Sequence, residues 1–538
     1  MCGITGYIGH KKAIPVLIDS LSNLEYRGYD SAGIAYIENN KTKITKSVGK
    51  IIDLKNKIKD SNSLIGIGHT RWATHGKPSI VNSHPHKVGK VTIVHNGIIE
   101  NYELLKQNLI KDGYTFKSDT DTEVIAALID NFYKETNNEI ISLKKAQELL
   151  TGSYALGILF ENENNIYCMK KDSPLVLGIG KAETFLASDI CAFIKNTNQY
   201  IILKNHDIGV LKQDEITIYD NQLNKVNRQI EECNYKLNTI DKKGFDHYML
   251  KEIHEQPGII RNIFNNASLL KTINKIPFKK YKQFDIVACG SAYHTGLIAK
   301  SLIEEFADIT VNVEIASEYR YKKLLNTKNK LVIFISQSGE TADTLACLNL
   351  VKENKIDSLA IVNVFNSSIA RGADTVLYTN AGPEIAVATT KAYSAQIAIL
   401  ILLTIKLGKV KIEKEAIKEL PLLMEKLINF DYKAIAKILY KNEDIFFIGR
   451  KIDFALAMEG SLKLKEISYI HSEAYPAGEL KHGTISLIEK NMPVIGILTD
   501  ESILEKTISN LKETEARGAN IITISNRKEN IFNYSIHI

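Results

Sequence analysis

The stretch Met1-Cys-Gly-Ile-Thr-Gly-Tyr-Ile-Gly-His10 places a cysteine directly after the initiator methionine. If Met1 is removed, Cys2 carries a free α-amino group beside its own thiol. Because such an amine has a pKa of about 8, it is partly neutral near pH 7 and can accept the thiol proton. The alternative interpretation is a buried N-terminal strand that begins with cysteine by chance. The motifs that follow along the chain favour the nucleophile.

Composition narrows the class of protein. The 538 residues are too many for one hydrophobic core, and this length predicts about two to four domains. A content of 44% hydrophobic and 24% charged residues is typical of globular proteins. The net charge of +6 comes from dispersed lysines, which argues against nucleic acid as a partner and suits anionic substrates such as sugar phosphates.

Other patterns exclude further classes. The six cysteines include no Cys-x-x-Cys pair, so we expect neither a disulfide framework nor a zinc site. The N-terminus lacks a leader with a charged and an apolar part. The longest apolar run, Ile397 to Ile405, is shorter than the roughly 20 residues that span a bilayer. We therefore expect a cytoplasmic protein with no membrane span, no metal and no cofactor.

Three polar motifs of the first 220 residues each allow a structural and a functional interpretation. The segments Ile67–Gly76 and Asn82–His86 hold four of the 13 histidines. Without a carboxylate or cysteine at ligand spacing, these histidines predict a loop wall around a polar substrate rather than a metal site. His95-Asn96-Gly97, after a strand predicted at Val91–Val94, is either a tight turn or the donor pair of an oxyanion hole. Ser118–Glu123 is either a helix N-cap or a site for a substrate ammonium.

Together these motifs resemble a known family, the N-terminal-nucleophile glutamine amidotransferase domain. The residues that carry the resemblance, in chain order, are Cys2–Ile4, Arg27–Gly33, His69–Gly76, His95–Gly97 and Ser118–Glu123. The resemblance implies a four-layer α/β/β/α sandwich in which the N-terminal cysteine attacks the carboxamide of glutamine and releases ammonia.

The resemblance also implies a role for individual residues of this domain. Cys2 is the nucleophile, and Asn96 with Gly97 forms the oxyanion hole. Arg71 binds the substrate carboxylate, for which a bidentate guanidinium is better suited than a lysine, and Asp121 binds the substrate amine. The further residues expected along this pocket are Thr74 and His75.

The second half of the chain contains an internal repeat of apolar strands that alternate with helices. The strands are predicted at 284–289, 331–335 and 358–363 in the first copy and at 445–448, 493–498 and 520–525 in the second. This alternation predicts parallel sheets in doubly wound domains, which bind ligands at the carboxyl ends of their strands. Ser336-Gln337-Ser338 with Thr341 lies at such an end, as either a serine-rich helix cap or a phosphate cradle.

This half resembles the paired sugar isomerase (SIS) domains, and the whole chain resembles the family of glutamine–fructose-6-phosphate aminotransferases (isomerising), or glucosamine-6-phosphate synthases. The polar stretch 221–245 and the helical stretch 247–257 resemble the interdomain segment of that family. The resemblance implies that the residues that bind the sugar phosphate are Ser291, Ser336, Gln337, Ser338 and Thr341.

For the remaining site residues the resemblance competes with a plainer interpretation, a solvated helix face that carries Lys463, Lys465 and Glu466. It implies that Glu466 moves a proton between sugar C1 and C2 with the help of Lys463, and that His482 opens the sugar ring. His482 would come from a neighbouring subunit, which makes a homodimer the expected state. Trp72 resembles the residue that gates the passage of ammonia between the two sites.

Two departures from the family pattern stand out. Cys289–Ala292 replaces the usual Cys-Gly-Thr-Ser, and one lost hydroxyl is worth about 1 kcal/mol of phosphate binding. The second copy ends at Ser535–Ile538, a position that matches the strand Thr375–Tyr378 of the first copy. The closing helix and the lysine that forms a Schiff base with the sugar in the family would follow. We therefore expect a truncated second SIS domain and little formation of glucosamine 6-phosphate.

The expected organisation is a glutamine amidotransferase domain at 2–217, a linker and helical connection at 218–273, and SIS domains at 274–414 and 435–538. The function expected from the resemblance is glutamine-dependent synthesis of glucosamine 6-phosphate from fructose 6-phosphate, the first step towards UDP-N-acetylglucosamine. One alternative is a remnant with glutaminase activity only. The other is a regulator that binds sugar phosphates through its SIS domains, and the intact motifs around Cys2 argue against it.

Overall fold

The computed structural model describes residues 2–25, 28–72, 76–233, 242–325, 327–408, 414–527, 532 and 534–538. The chain divides into two compact units, Met1–Thr239 and Ile240–Ile538. Of the predicted site residues, Thr74 and His75 lie outside the described residues.

The described part of unit 1 consists of two antiparallel sheets with helices on their outer faces. Its strands are β1 Gly3–Gly9, β2 Ser31–Glu38, β3 Lys41–Val48, β4 Ile65–Arg71, β5 His86–Val88, β6 Val91–Ile99, β7 Gly152–Phe160, β8 Ile166–Lys171, β9 Val176–Gly180, β10 Glu183–Ala187, β11 Gln199–Ile202, β12 Ile208–Leu211, β13 Ile216–Tyr219 and β14 Ile230–Glu232. Its helices are α1 Ala13–Leu24, α2 Ile51–Lys55, α3 Tyr102–Lys111, α4 Asp121–Thr136 and α5 Glu139–Leu149. The strand orders are β14-β11-β9-β10-β1-β4-β2-β3 and β13-β12-β8-β7-β6-β5.

Successive side chains of a strand point to opposite faces of the sheet. In unit 1 both faces are covered, so many strand residues are buried on either side. In β1, Ile4 and Ile8 pack into the core between the two sheets, whereas Tyr7 packs towards α1 on the outer face. A separate apolar cluster joins α4 and α5 to the outer face of the six-stranded sheet. The layers therefore follow the predicted order α/β/β/α.

The described part of unit 2 contains two five-stranded parallel sheets. Its strands are β15 Gln283–Ala288, β16 Thr310–Ile315, β17 Lys330–Ser336, β18 Asp357–Val362, β19 Thr375–Tyr378, β20 Asp444–Gly449, β21 His471–Pro476, β22 Pro493–Leu498, β23 Asn520–Ser525 and β24 Tyr534–His537. Its helices are α6 Tyr248–Phe264, α7 Ala267–Lys275, α8 Ser291–Ala307, α9 Ala316–Tyr319, α10 Ala342–Glu353, α11 Ser368–Gly372, α12 Lys391–Gly408, α13 Lys414–Ile428, α14 Lys433–Leu439, α15 Ile452–Ser468 and α16 Leu504–Glu515.

The two sheets repeat one topology, with strand orders β16-β15-β17-β18-β19 and β21-β20-β22-β23-β24. The prediction of an internal repeat with parallel sheets is thus confirmed. Because neighbouring strands run in the same direction, the loops after β15 and β17 lie at one edge of the first sheet. The strand β24 pairs with β23 as β19 pairs with β18.

One helix in the described part of the chain, α12, is long and apolar enough to cross a membrane by length and composition, with a mean hydropathy of 1.3 over 18 residues. It is longer than the nine-residue apolar run that the sequence suggested. In this fold α12 supplies core residues such as Ile399 and Leu403 to the first doubly wound domain. Its first residue, Lys391, forms an ion pair with Glu255 of α6 at 2.7 Å. We therefore interpret α12 as a buried core helix.

Candidate active sites

The thiol of Cys2 lies where β1 begins and β4 ends. The register pairs Gly3 with Thr70, which places Cys2 beside the residues that follow β4. The Trp72 N–H donates a hydrogen bond to the Cys2 Sγ atom at 3.3 Å. Burial raises the pKa of the Cys2 thiol, and the hydrogen bond from Trp72 only partly offsets this rise. A thiol with a raised pKa needs a base to react near neutral pH, as the proposed N-terminal amine would be.

Asn96 and Gly97 approach Cys2 from the facing sheet. The Nδ2 atom of Asn96 donates to the backbone carbonyl of Cys2 at 3.0 Å. Gly97 has a φ of +128°, and a Cβ there would lie 2.1 Å from the Ser153 carbonyl oxygen, so only glycine fits. The tight-turn interpretation of this motif is wrong, because β6 continues through Asn96 and Gly97 to Ile99 and pairs with β7. Long-range pairing extends the strand beyond the apolar residues predicted for it.

Three of the clustered histidines are described and all three are buried: His69 on β4, His84 in the loop before β5, and His86 at the start of β5. His69 lies on β4, and its Nε2 atom is 3.0 Å from both the Asn96 Oδ1 atom and the His95 carbonyl oxygen. The rings of His69 and His84 stack with their centroids 4.1 Å apart. Burial lowers the pKa of His69 to about 3 and that of His84 well below its usual value. No group of metal ligands occurs among the described residues.

Arg71 is the last residue of β4 and is buried. Its Nη2 atom donates to the Gly76 carbonyl oxygen at 3.0 Å. Burial lowers the pKa of the guanidinium, and the neighbouring Cys2, Asp30 and Asp121 oppose this shift. The candidate carboxylate-binding arginine, the candidate nucleophile and the candidate amine-binding aspartate therefore share one electrostatic environment.

Asp121 is the first residue of α4. Its Oδ2 atom accepts a hydrogen bond from the Ile99 N–H at 2.9 Å, so α4 is tied to the end of β6. Thr120 caps the helix by accepting from the Glu123 N–H, which confirms the N-cap interpretation of this motif. The structural and the functional interpretation of this motif are compatible, because Thr120 forms the cap whereas Asp121 lies near the other site residues.

Trp72 exposes more than a third of its side chain. Its indole meets the Tyr29 ring edge-to-face at 5.5 Å between centroids. The backbone of Trp72 therefore contacts Cys2, whereas its side chain contacts Tyr29. The role of Trp72 as an ammonia gate stays a prediction.

The candidate phosphate cradle of unit 2 lies between β17 and α10. The hydroxyls of Ser336 and Thr341 are 3.0 Å apart, and the Gly339 N–H donates to the Ser336 Oγ atom at 3.0 Å. Gly339 has a φ of +64°, and a Cβ there would collide with the Ser367 hydroxyl. Thr341 precedes α10, yet its side chain makes no capping hydrogen bond. The hydroxyls therefore shape the loop itself, in contrast to the helix-cap interpretation.

Four further residues lie near this edge, two at the start of α8 and two in the loop after β17. Ser291 begins α8, directly after the neighbouring strand β15, and is half-buried. Ala292, the residue that departs from the family pattern, is buried in the core cluster of the first doubly wound domain. Ser338 accepts a hydrogen bond from the Glu340 N–H at 3.1 Å, and Gln337 accepts one from the Asn363 N–H at 3.1 Å through its carbonyl.

The helix α15 presents Glu459, Lys463 and Glu466 along one face, at the spacing that neighbouring turns require. The ammonium group of Lys463 contacts the Glu466 carboxylate and lies 3.5 Å from the Glu459 Oε1 atom. Glu466 is about a third exposed, whereas Glu459 is buried. A fully solvated helix face does not describe this stretch well, because Lys463 pairs with the buried carboxylate of Glu459.

His482 ends a short 3-10 turn, Leu480–His482, and is exposed. Among the described residues, its imidazole forms no ion pair with Glu466 or Glu459. Its predicted role in ring opening, and its delivery from a neighbouring subunit, stay predictions.

Comparison with known proteins relates both units to one family. Family models match residues 74–195 as a glutamine amidotransferase domain and residues 278–406 and 438–534 as SIS domains. A protein of Clostridium tetani named glutamine–fructose-6-phosphate aminotransferase (isomerizing) is 46% identical over 98% of this chain and 90% of its own length. A protein of the same name from Thermococcus kodakarensis is 44% identical over 98% of this chain and 91% of its own length.

The chain belongs to the glutamine–fructose-6-phosphate aminotransferase (isomerizing) family. Among solved structures, it is similar to the C-terminal domain of glucosamine-fructose-6-phosphate aminotransferase from Francisella tularensis. That likeness has a TM-score of 0.50 and 37% identity and covers 55% of this chain and 90% of that chain. A putative phosphosugar isomerase from Silicibacter pomeroyi has a TM-score of 0.50 at 21% identity, which supports the fold alone.

The structure also brings residues to these aminotransferase sites that sequence reasoning missed. His69 contacts Asn96, and His294 contacts Glu459 at 2.7 Å across the two doubly wound domains. The i, i+4 spacing of Glu459 and Lys463 indicates that these two side chains share one helix face, but it does not indicate the contact with His294. No such local signal exists for His69, because β4 and β6 belong to different sheets.

Proposed function

We propose that this member of the aminotransferase family transfers the amide nitrogen of glutamine to fructose 6-phosphate and isomerises the product to glucosamine 6-phosphate. The single observation that carries the glutaminase half is the contact of the Asn96 Nδ2 atom with the Cys2 backbone at 3.0 Å. It supports a donor held beside the nucleophile before substrate arrives, which is how an oxyanion hole contributes to catalysis.

The reaction at Cys2 would proceed in two steps, formation of a thioester with release of ammonia and hydrolysis of that thioester. After removal of Met1, the Cys2 amine takes the thiol proton, and the sulfur attacks the carboxamide carbon of glutamine. The oxyanion of the tetrahedral intermediate accepts hydrogen bonds from Asn96 and from the Gly97 N–H. The protonated Cys2 amine then donates this proton to the leaving nitrogen as the carbon–nitrogen bond breaks, and ammonia leaves. Water hydrolyses the remaining thioester to give glutamate and the free thiol.

Substrate orientation in this site is assigned to two buried charges. Arg71 would hold the α-carboxylate of glutamine by a bidentate pair of hydrogen bonds, and Asp121 would accept hydrogen bonds from its α-ammonium group. The fixed carboxyl end of β4 and the tie between Asp121 and Ile99 support this geometry. Thr74 and His75 are proposed to line the same pocket.

At the sugar site, the loop Ser336–Thr341 together with Ser291 would bind the phosphate of fructose 6-phosphate. Ammonia adds to the C2 carbonyl with loss of water to form an imine. Glu466 then removes a proton from C1 and returns one to C2, which converts the ketose imine into the amino aldose. Lys463 would hold Glu466 in place, and His482 would open the ring.

We further propose a cytoplasmic homodimer in which His482 reaches the partner's sugar site, and domains at 2–217, 274–414 and 435–538. The experiment that tests the proposed function measures glutamate and glucosamine 6-phosphate in parallel from glutamine and fructose 6-phosphate. Formation of both supports the proposal. Glutamate alone would instead favour the alternative expectation of a remnant with glutaminase activity and little formation of glucosamine 6-phosphate. The absence of both products would reject the assignment.

A further inference from the structure

The side chain of Asn96 is held at both ends. Its Nδ2 atom faces the Cys2 carbonyl oxygen, and its Oδ1 atom faces the His69 Nε2 atom, each at 3.0 Å. The carbonyl of Cys2 is only an acceptor, so the nitrogen of the amide must lie on that side. The two contacts therefore agree on one orientation of the Asn96 amide.

The proton on His69 follows from the same contacts. Its Nε2 atom lies near two oxygen acceptors, Asn96 Oδ1 and the His95 carbonyl, so Nε2 carries the proton. His69 is fully buried, and burial lowers its pKa to about 3. The ring is thus a neutral Nε2–H donor throughout the physiological pH range.

The ring of His69 is itself held in place. His84 stacks on it, and the His84 Nδ1 atom accepts from the His95 N–H at 3.3 Å. This acceptor role puts the proton of His84 on Nε2, which lies 3.3 Å from the Thr122 hydroxyl at the start of α4. Buried neighbours thereby fix the direction of the His69 N–H bond.

An asparagine amide keeps nearly the same shape when it rotates by half a turn, so its partners select its orientation. In the reversed orientation, the Asn96 NH₂ would meet the His69 N–H, and the amide oxygen would meet the Cys2 carbonyl. Both pairs repel, and the oxyanion would lose its side-chain donor.

We propose that His69 is a positioning residue of the glutaminase site, which fixes the Asn96 amide with its NH₂ group directed to the oxyanion. The proposal rests on the proposed glutaminase function and adds a residue to it. His69 does not touch the substrate. It acts through Asn96, so its loss should matter only while Asn96 is present.

The test compares His69→Gln with His69→Asn. The Gln amide nitrogen reaches the position of Nε2 and keeps the donor, whereas the Asn side chain is too short. We expect kcat for glutamate release to fall about 100-fold in His69→Asn, with KM within about threefold, because one oxyanion donor is worth about 10²–10³ in kcat. We expect His69→Gln to keep more than a tenth of the wild-type kcat. If His69→Asn does not fold, His69→Met replaces it as the variant without a donor.

The deciding measurement repeats these substitutions in an Asn96→Ala background. His69→Asn should then cost less than about threefold, because the group it positions is gone. His86→Asn is the matched control: His86 is a buried histidine of the same cluster that bonds to Thr120 rather than to Asn96. Its effect on kcat should be the same in both backgrounds.

Equal losses in the Gln and Asn variants, or an undiminished loss in the Asn96→Ala background, would overturn the inference while the wild type remains an active glutaminase. An inactive wild type would instead overturn the proposed function and this inference with it. The two failures are thus distinguishable.

Discussion

The Nδ1 atom of His294 lies 2.7 Å from the Oε2 atom of Glu459. His294 belongs to α8, which follows β15 of the first doubly wound domain. Glu459 belongs to α15, which carries Glu466, the candidate isomerase base. Both side chains are about nine-tenths buried. Since Glu459 also lies close to Lys463, the first doubly wound domain contributes to the placement of the base on the second.

The first prediction concerns this pair. His294→Asn and Glu459→Leu should each lower the free energy of unfolding by about 2–4 kcal/mol, because each leaves a buried polar partner without its hydrogen bond. The double variant should lose at least about 1 kcal/mol less than the sum of the two. Urea unfolding followed by circular dichroism measures this. Additive losses would show that the two residues act independently.

The second prediction concerns the nucleophile. Cys2→Ala should abolish glutamate release and leave the folded structure intact, because it removes the sulfur but little volume. Mass spectrometry of the N-terminus should show that Met1 is removed, since otherwise the amine is one residue away from the thiol. Unchanged glutamate release in Cys2→Ala, or retained Met1 in an active sample, would contradict the assignment.

The third prediction concerns Arg71. Arg71→Lys keeps the charge but loses the bidentate fork, which is worth about 1.5–3 kcal/mol for a charge-assisted hydrogen bond. We expect the KM for glutamine to rise at least about tenfold, with a smaller change in kcat. Steady-state glutamate release measures both constants. A KM within about twofold of wild type would assign Arg71 a structural role.

The fourth prediction concerns Glu252 of α6. Its carboxylate is buried and accepts from the Ile385 and Ala386 N–H groups. Burial raises its pKa to about 7, the nearby Glu384 adds to this rise, and Lys391 opposes it. Between about pH 5 and 7 the unfolded chain has released this proton while the folded chain keeps it. The contribution of Glu252 to stability therefore falls as pH rises through this window.

Substitution by glutamine removes this titration. On going from pH 5 to pH 8, the stability of Glu252→Gln relative to wild type should rise by about 2–3 kcal/mol. Urea midpoints of both proteins at several pH values give the difference. Parallel stability curves would show that Glu252 ionises normally in the folded protein.

Local motifs predicted much of this architecture. The residues around Cys2 and the loop Ser336–Thr341 could be found from sequence because short, contiguous segments carry their chemistry. The repeat of apolar strands and helices predicted both parallel sheets, because strands buried on both faces read as continuous apolar runs.

Features that depend on packing between distant segments could not be predicted. The strand β6 continues through Asn96 and Gly97 because β7 pairs with it over a long separation in sequence. The contact between His69 and Asn96 joins strands of two different sheets. A buried neutral imidazole also carries no signature in the sequence, since its charge is decided mainly by burial in the folded protein.

The most direct test of the central claim follows the nitrogen atom. Glutamine labelled with ¹⁵N in its amide is supplied with fructose 6-phosphate and an excess of unlabelled ammonium, and Cys2→Ala serves as the control. We predict glucosamine 6-phosphate that carries ¹⁵N, formed together with an equal amount of glutamate, and no labelled product from the control. Glutamate release by the wild type without ¹⁵N in any amino sugar would contradict the claim that this chain transfers nitrogen from glutamine to the sugar.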